Sequence, residues 1–271
     1  MTELAPLAVA VAQFAPGDDK ADNLARIRQL ATDAAARGAK LVVFPEYSSY
    51  FTPSFGQNSV AAAETLDGPF VAGLEAIAKV LDIHLVAGML ETAGDGDHFR
   101  NTIVAVDPHG GRIAKYRKLH LYDAFGQLES DWVTAGDIED PELFSVGGLR
   151  IAMQTCYDIR FPEVTRRLAD AGADVVRVPA EWVRGPLKEH HWRTLVTARA
   201  IENTIYVAAA DHAPPIGVGN SMIVDPMGVE VATVCDDPSA IAIAWVTATR
   251  ISEVRTVNPA LKLRRFGVTA I

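Results

Sequence analysis

The feature of the sequence that most constrains its fold is a pattern of apolar runs that occurs twice along the chain. In each half, short apolar runs typical of buried strands alternate with segments of helical apolar spacing, and an Asp-Pro turn then reverses the chain. This alternation favours a mixed sheet with helices on a face. The pattern predicts strands over residues 7–13, 40–44, 83–89, 100–106, 112–118, 150–155, 174–178, 204–210, 220–224, 229–234 and 241–246, and helices that include 24–34, 71–81, 162–171 and 192–199.

No change of composition divides the two halves. A chain of 271 residues allows one domain or two, but no Ser/Gly linker or low-complexity segment separates them. We therefore expect one domain over residues 1–271, with a core over about 7–247 and a C-terminal arm over about 248–271. The end of the arm combines basic and apolar residues, and it either frays or packs on a second subunit.

Charge and apolar content limit the partners of the chain. The formal net charge is −9, which argues against a nucleic-acid or anionic-membrane partner because either requires a basic face. No apolar run approaches the roughly 18 residues of a membrane-spanning helix, and the first residues lack the basic segment of a signal peptide. We expect a cytoplasmic protein. Cys156 and Cys235 have no metal-ligand spacing and are expected to be free thiols.

Cys156 lies where a predicted buried strand ends and a helix begins. Residues 150–155 form the strand, and Pro162 fits the first turn of a helix that begins near Phe161. A side chain at such a junction points into the crevice at the carboxyl end of a sheet, among free backbone N–H groups. A lone cysteine is more often a small buried hydrophobe. This position favours a nucleophile.

Two charged residues also stand at the ends of predicted strands. Glu46 comes just after the strand over 40–44, and Lys118 ends the hairpin strand over 112–118. Each has an ordinary explanation, since a carboxylate after a strand often caps a helix and a lysine on an edge strand keeps that edge soluble. Taken alone, neither residue indicates a function.

The segments that carry these residues together resemble the nitrilase superfamily of carbon–nitrogen hydrolases, over nearly the whole chain. The resemblance is closest to the branch of Nit-type amidases, which includes omega-amidase and deaminated-glutathione amidase. The matching segments are FPE ending at Glu46, YRK ending at Lys118, QLES at 127–130, CYDIRFPE from Cys156, HHWRTLVTARAIEN at 190–203 and GNSMIVDPMG at 219–228.

The resemblance implies a fold, a reaction and a site. The fold is an α/β, four-layer α-β-β-α sandwich, and the reaction is hydrolysis of a non-peptide amide bond in a small, carboxylate-bearing substrate through a cysteine thioester. Cys156 is the implied nucleophile, Glu46 the acid and base, and Lys118 the oxyanion donor, while Glu129 matches a second glutamate near the lysine. No metal or organic cofactor is implied. The family also implies a homodimer or a larger homo-oligomer.

The substrate pocket is less well defined by the resemblance. Tyr157 and Trp182 fall where the family lines its pocket, although either residue equally fits a hydrophobic core. Glu181 and Trp182 stand in a segment that close relatives fill with small residues and a phenylalanine, and Arg177 in the preceding strand is also unusual. The arginine either recognises a substrate carboxylate or pairs with Glu181.

Several other functions compete with this interpretation. Within the superfamily, the chain could be an N-carbamoyl amino acid or amine hydrolase, or a nitrilase. A thiol enzyme that uses His120 or His191 is disfavoured, because nucleophile elbows require small residues beside the nucleophile. A metal at the adjacent histidines 190 and 191 is rejected because they project differently from a helix. A non-catalytic ligand-binding or assembly protein is the alternative from a different class.

Overall fold

Two six-stranded sheets form the centre of the protein in a computed structural model that describes residues 5–270. The strands of these residues are β1 (Leu7–Phe14), β2 (Leu41–Val43), β3 (His84–Thr92), β4 (Phe99–Val106), β5 (Arg112–Arg117), β6 (Phe144–Val146), β7 (Leu149–Met153), β8 (Val175–Ala180), β9 (Tyr206–Asp211), β10 (Met222–Val224), β11 (Glu230–Thr233) and β12 (Ser239–Val246). The helices are α1 (Lys20–Ala36), α2 (Gln57–Ala62), α3 (Pro69–Leu81), α4 (Pro162–Asp170), α5 (Lys188–Asn203) and α6 (Ala248–Val257).

The two sheets repeat one pairing scheme. The first sheet has the order β12-β1-β2-β3-β4-β5, in which β1 to β3 are parallel and β4 and β5 antiparallel. The second has the order β11-β10-β9-β8-β7-β6, in which β7 to β9 are parallel and β10 and β11 antiparallel. Antiparallel β12 and β6 hold equivalent outer places. The repeat in the sequence is therefore a repeat of sheets.

The packing of the sheets gives four layers. Along β1, Val9 and Val11 face the second sheet and belong to the core between the sheets. Ala10 and Ala12 point the other way, into a core shared with α1 and α3. The outer face of the second sheet packs in the same manner against α4 and α5. Strands buried on both faces read as continuous apolar runs. The predicted α-β-β-α sandwich is confirmed.

Three short elements were not expected from sequence. β6 has only three residues, too few for an apolar alternation to be recognised. Helix α2 lies partly within residues 47–59, a segment too irregular to predict a regular element. Helix α6 lies in the predicted arm, and its Ile251 and Val254 are buried against the rest of the chain. None of the helices within residues 5–270 is long and apolar enough to cross a membrane.

Gly88 of β3 allows the loop after β2 to lie against the sheet. The Gly88 N–H donates to the Pro45 carbonyl at 3.2 Å, and the Ser49 N–H donates to the Gly88 carbonyl at 3.1 Å. A Cβ at position 88 would lie 2.5 Å from the Tyr47 nitrogen and 2.8 Å from the Glu46 Cα. The missing side chain thus determines where the backbone of Glu46 runs.

We expect Gly88→Ala to lower the free energy of unfolding by about 1–3 kcal/mol, because the added methyl group must displace backbone rather than a mobile side chain. The variant should also lose activity through displacement of Glu46. Denaturant unfolding and kcat/KM measure the two effects. Gly17→Ala is the matched control, since a Cβ there meets nothing within 4 Å. Equal stability of the two variants would show that the loop is free to move.

Candidate active site

The ends of the strands bring four of the predicted residues to one cavity. Glu46 follows β2, Lys118 follows β5, Glu129 begins a short 3₁₀ turn, and Cys156 begins another after β7. All four line a cavity of about 560 Å³. Their exposed fractions are 1%, 2%, 6% and 5%. The predicted strand-to-helix junction at Cys156 is confirmed, with the 3₁₀ turn inserted before α4.

The ammonium group of Lys118 lies between the two glutamates. Its Nζ is 3.0 Å from Glu46 Oε1 and 2.9 Å from Glu129 Oε2. Burial alone would lower the pKa of Lys118, but the charges of Glu129 and Glu46 outweigh it and raise this pKa well above its usual value. Lys118 therefore remains charged inside the cavity.

Glu129 is the more strongly hydrogen-bonded of the two glutamates. Its carboxylate accepts from the Tyr47 hydroxyl and the Tyr122 N–H as well as from Lys118. Burial raises the pKa of Glu129, but the charge of Lys118 and these hydrogen bonds lower it by more, so the net shift of the pKa is downward. Glu129 is thus a permanent anion, and its charge is fixed in place.

Glu46 differs in its surroundings. Its carboxylate accepts from Asn101 Nδ2 at 2.6 Å and from the Glu181 N–H at 2.7 Å, in addition to Lys118. Burial raises the pKa of Glu46, Lys118 opposes this, and the charge of Glu129 raises it again, with a net upward shift. A carboxylate with a raised pKa is suited to accept and return a proton near neutral pH.

The Cys156 thiol is held in a strained turn. Cys156 has φ +43°, a conformation that non-glycine residues rarely adopt. Its Sγ contacts the Glu181 carbonyl at 3.5 Å. Burial, and then the charge of Glu46, raise the pKa of the thiol well above its usual value. The resting sulfur is therefore protonated, and attack requires a base to remove that proton.

Asp158 links the turn of Cys156 to the segment that carries Lys118. Its buried carboxylate accepts from the Tyr116 hydroxyl at 2.7 Å, and from the His120 N–H at 3.0 Å and Nδ1 at 2.8 Å. Tyr116 and His120 lie two residues before and after Lys118. The turn of Cys156 and the segment of Lys118 are thus fixed relative to each other through one carboxylate.

Of the predicted pocket residues, Tyr157 and Trp182 line the cavity. Trp182 is also part of the core, since it packs on Trp192 with ring centroids 5.4 Å apart and donates from Nε1 to the Lys188 carbonyl at 2.9 Å. The two interpretations of Trp182 thus both apply.

Arg177 is not brought to the cavity, which contradicts its expected contact with substrate. It is fully buried on β8, where it shares the face of Val175 toward the other sheet. Its guanidinium donates to the Ala152 carbonyl at 3.2 and 2.9 Å and lies 4.5 Å from the Phe144 ring centroid. It forms no ion pair with Glu181 within the part of the chain described here. The strand alternation placed this side chain between the sheets.

Several contacts of the site have no counterpart in the sequence prediction. Asn101 bridges the glutamates through Nδ2, 2.6 Å from Glu46 Oε1 and 3.2 Å from Glu129 Oε1. Tyr47 reaches Glu129 from the loop after β2. No spacing pattern points to either residue. The one usable signal is that Asn101 lies on β4, the strand paired with the one that leads to Lys118.

The sandwich and its buried cysteine, lysine and glutamates define the class of a cysteine-dependent hydrolase. A family model described as carbon-nitrogen hydrolase matches residues 8–256, and the chain belongs to this family. The predicted family and class of enzyme are thereby confirmed.

Three relatives and two solved structures show how far the similarity extends. The deaminated glutathione amidase of Escherichia coli O157:H7 is 39% identical over 96% of this chain and 97% of its own length. That of Synechocystis sp. is 32% identical over 96% and 99%. Human omega-amidase is 29% identical over 97% and 96%.

Among solved structures, the Caenorhabditis elegans NitFhit protein has a TM-score of 0.87 and 27% identity over 97% of this chain and 66% of that chain. The amidase from Nesterenkonia sp. AN1 has a TM-score of 0.80 and 26% identity over 96% of both chains. In a variant of that amidase, the acetamide moiety of fluoroacetamide is covalently added at the active-site cysteine.

We expect Asp158→Asn to lower the free energy of unfolding by about 1–3 kcal/mol, because an amide cannot accept from all the donors that converge on this carboxylate. The turn of Cys156 should then shift relative to Lys118, so kcat should fall more than KM rises. Thermal unfolding and steady-state kinetics test this. Asp236→Asn, on an exposed residue, is the control. An unchanged kcat for Asp158→Asn would show that the hydrogen bonds between Asp158 and the Lys118 segment do not contribute to catalysis.

Proposed function

We propose that this enzyme hydrolyses the amide bond of a small, carboxylate-bearing linear amide through a Cys156 thioester. The observation that carries the proposal is that Cys156, Glu46 and Lys118 line the same cavity, with Lys118 Nζ 3.0 Å from Glu46 Oε1. A cavity of about 560 Å³ suits a small molecule rather than a peptide chain. The names of the amidases similar to this chain support the amide as substrate.

In the first half-reaction Cys156 Sγ attacks the amide carbon while Glu46 takes the thiol proton. The negative charge that develops on the carbonyl oxygen is stabilised by Lys118 and by the Tyr157 N–H. Tyr157 is the second residue of the 3₁₀ turn, so its N–H has no partner within that turn. Glu46 then returns the proton to the nitrogen, ammonia leaves, and the thioester remains.

In the second half-reaction water takes the place of ammonia. Glu46 removes a proton from this water as it attacks the thioester carbon, and the same proton returns to the sulfur when the acid is released. One carboxylate with a raised pKa serves both steps. Glu129 acts as a positioning residue, since it holds Lys118 from the side opposite Glu46.

The contacts of the histidines do not favour the competing Cys-His mechanism. His120 is bound to Asp158 and is stacked on Phe161 with ring centroids 3.7 Å apart. His191 contacts Arg160. Within residues 5–270, no histidine lines the cavity that contains Cys156. Glu46 is the base that the geometry supports.

The chain is further proposed to be a single domain that forms a homodimer or larger homo-oligomer in the cytoplasm. β12 is an outer strand of the first sheet, and its Trp245 is 61% exposed, which supports association. The free thiols of Cys156 and Cys235 are compatible with a reducing compartment.

The reaction is tested by ammonia release from alpha-ketoglutaramate, succinamate, deaminated glutathione, an N-carbamoyl amino acid and an aromatic nitrile. We expect turnover of an acidic amide, loss of turnover in Cys156→Ala, and losses of about 10²–10⁴-fold in Glu46→Gln and Lys118→Met. Circular dichroism checks that each variant is folded. Near-normal kcat/KM in any of the three would remove that residue from the mechanism. Turnover of the nitrile or the N-carbamoyl substrate alone would reassign the reaction.

The pH profile should show the influence of Glu129 on Glu46. Glu46 is a base only when deprotonated, so kcat/KM should fall as the pH drops through a pKa above the usual glutamate value of 4.5. In Glu129→Gln the raising charge is absent, and the acid limb of the residual activity should move to lower pH. Glu139→Gln, on an exposed residue, is the control. An acid limb that stays in place in Glu129→Gln would contradict the coupling.

A further inference from the structure

Lys188, the first residue of α5, lines the same cavity as Cys156 and is only 7% exposed. Its Nζ donates to the Tyr122 hydroxyl. It also lies 3.9 Å from the Phe125 ring centroid, 4.8 Å from that of Tyr122 and 5.8 Å from that of Trp182. The ammonium group is therefore surrounded by aromatic rings at the cavity wall.

Lys188 differs from the other cavity-lining cations because it has no carboxylate partner. Lys118 pairs with two glutamates, and Arg184 pairs with Glu189 at 3.4 Å. In the described part of the chain, no Asp or Glu oxygen forms an ion pair with Lys188. A buried charge without a counter-ion is costly, and a cation at a cavity wall differs from one inside the core in that an anionic ligand can reach it.

The neighbouring polar groups do not neutralise this charge. Burial and Cys156 raise the pKa of Tyr122 to about 12, so its phenol is uncharged at neutral pH. Burial, and then the charge of Glu46, raise the pKa of Glu181 well above its usual value, so this carboxyl group is held protonated. Neither group supplies a negative charge beside the ammonium.

A second cation increases the positive potential. The Arg160 guanidinium carbon lies 4.8 Å from the Trp182 ring centroid and 5.6 Å from that of Phe125, so it shares the aromatic surroundings of Lys188. Its buried Nε has no hydrogen-bond partner among the described residues. Burial and the charge of Arg160 lower the pKa of Lys188. An anion bound at this wall would stabilise both cations.

We propose that Lys188 binds the carboxylate of the substrate at the end of the cavity away from the scissile amide. The proposal rests on the amide hydrolysis proposed above and specifies its substrate class: a linear molecule with a carboxylate at one end and a primary amide at the other. Lys188 takes the role first expected of Arg177, which lies between the sheets. The aromatic rings beside Lys188 provide apolar contacts for the methylene groups that join the two ends.

The first test compares succinamate with its methyl ester, which differs mainly by the missing charge. In the wild-type enzyme kcat/KM should be higher for the acid. In Lys188→Met this preference should fall by roughly 10- to 100-fold, mainly through KM, since a charge-assisted hydrogen bond is lost. Lys188→Arg should recover part of it. Lys79→Met, on an exposed lysine, is the control and should keep the wild-type ratio. A ratio in Lys188→Met equal to that of the wild type would overturn the proposal.

The second test does not depend on turnover. Succinate should protect Cys156 against iodoacetamide in the wild type and in Lys79→Met, and should protect it at least tenfold less well in Lys188→Met, as followed by mass spectrometry of the Cys156 peptide. Protection that requires Lys188 in an enzyme without amidase activity would support the carboxylate site while refuting the proposed reaction. Equal protection in Lys188→Met and the wild type would refute the carboxylate site and leave the reaction standing.

Discussion

The structure of the site depends on one buried lysine between two buried carboxylates. Three charges at such short distances, almost without contact to water, are stable only if each remaining lone pair receives a donor. The donors come from distant parts of the chain: the side chain of Asn101 on β4, the hydroxyl of Tyr47 after β2 and the backbone N–H of Glu181 after β8. The strand ends, the loops that follow them and the close approach at Gly88 bring these donors to the carboxylates.

Two glutamates beside the same lysine acquire different properties because their donors differ. Glu129 receives a phenol and a backbone N–H in addition to Lys118, and these hold it ionised. Burial raises the pKa of Glu46, and the charge of Glu129 raises it again against the opposing charge of Lys118, so its pKa moves upward instead. The permanent anion thereby adjusts the basicity of the neighbouring one. A protonated resting thiol fits this division, because the proton has a defined acceptor.

Much of the fold and of the central site can be predicted from the sequence, because the end of an apolar run marks the end of a buried strand. The apolar residues over 7–13 and 174–178 predict these strands, and both strands are buried along their length. The carboxyl ends of such strands converge on a crevice. Arg177 shows where such prediction fails. Its side chain lies between the sheets because of the face of β8 that it occupies, and a strand that is apolar on both faces does not reveal which face contacts the other sheet. The loop after β8 has no regular spacing that predicts where α5 begins, so the sequence does not point to Lys188 at the first residue of that helix.

The pairing of β1 with β12 has a consequence for how the enzyme is made. These strands are more than two hundred residues apart in the chain but pair along their whole length, from Leu7 with Val246 to Phe14 with Ser239. During synthesis on the ribosome, the edge of β1 therefore stays unpaired until β12 has emerged. Glu46 and Lys118 follow strands of that sheet, and Cys156 follows a strand of the other. The proposed nucleophile therefore meets its proposed base only when both sheets have docked, and we expect a nascent chain to have no complete site.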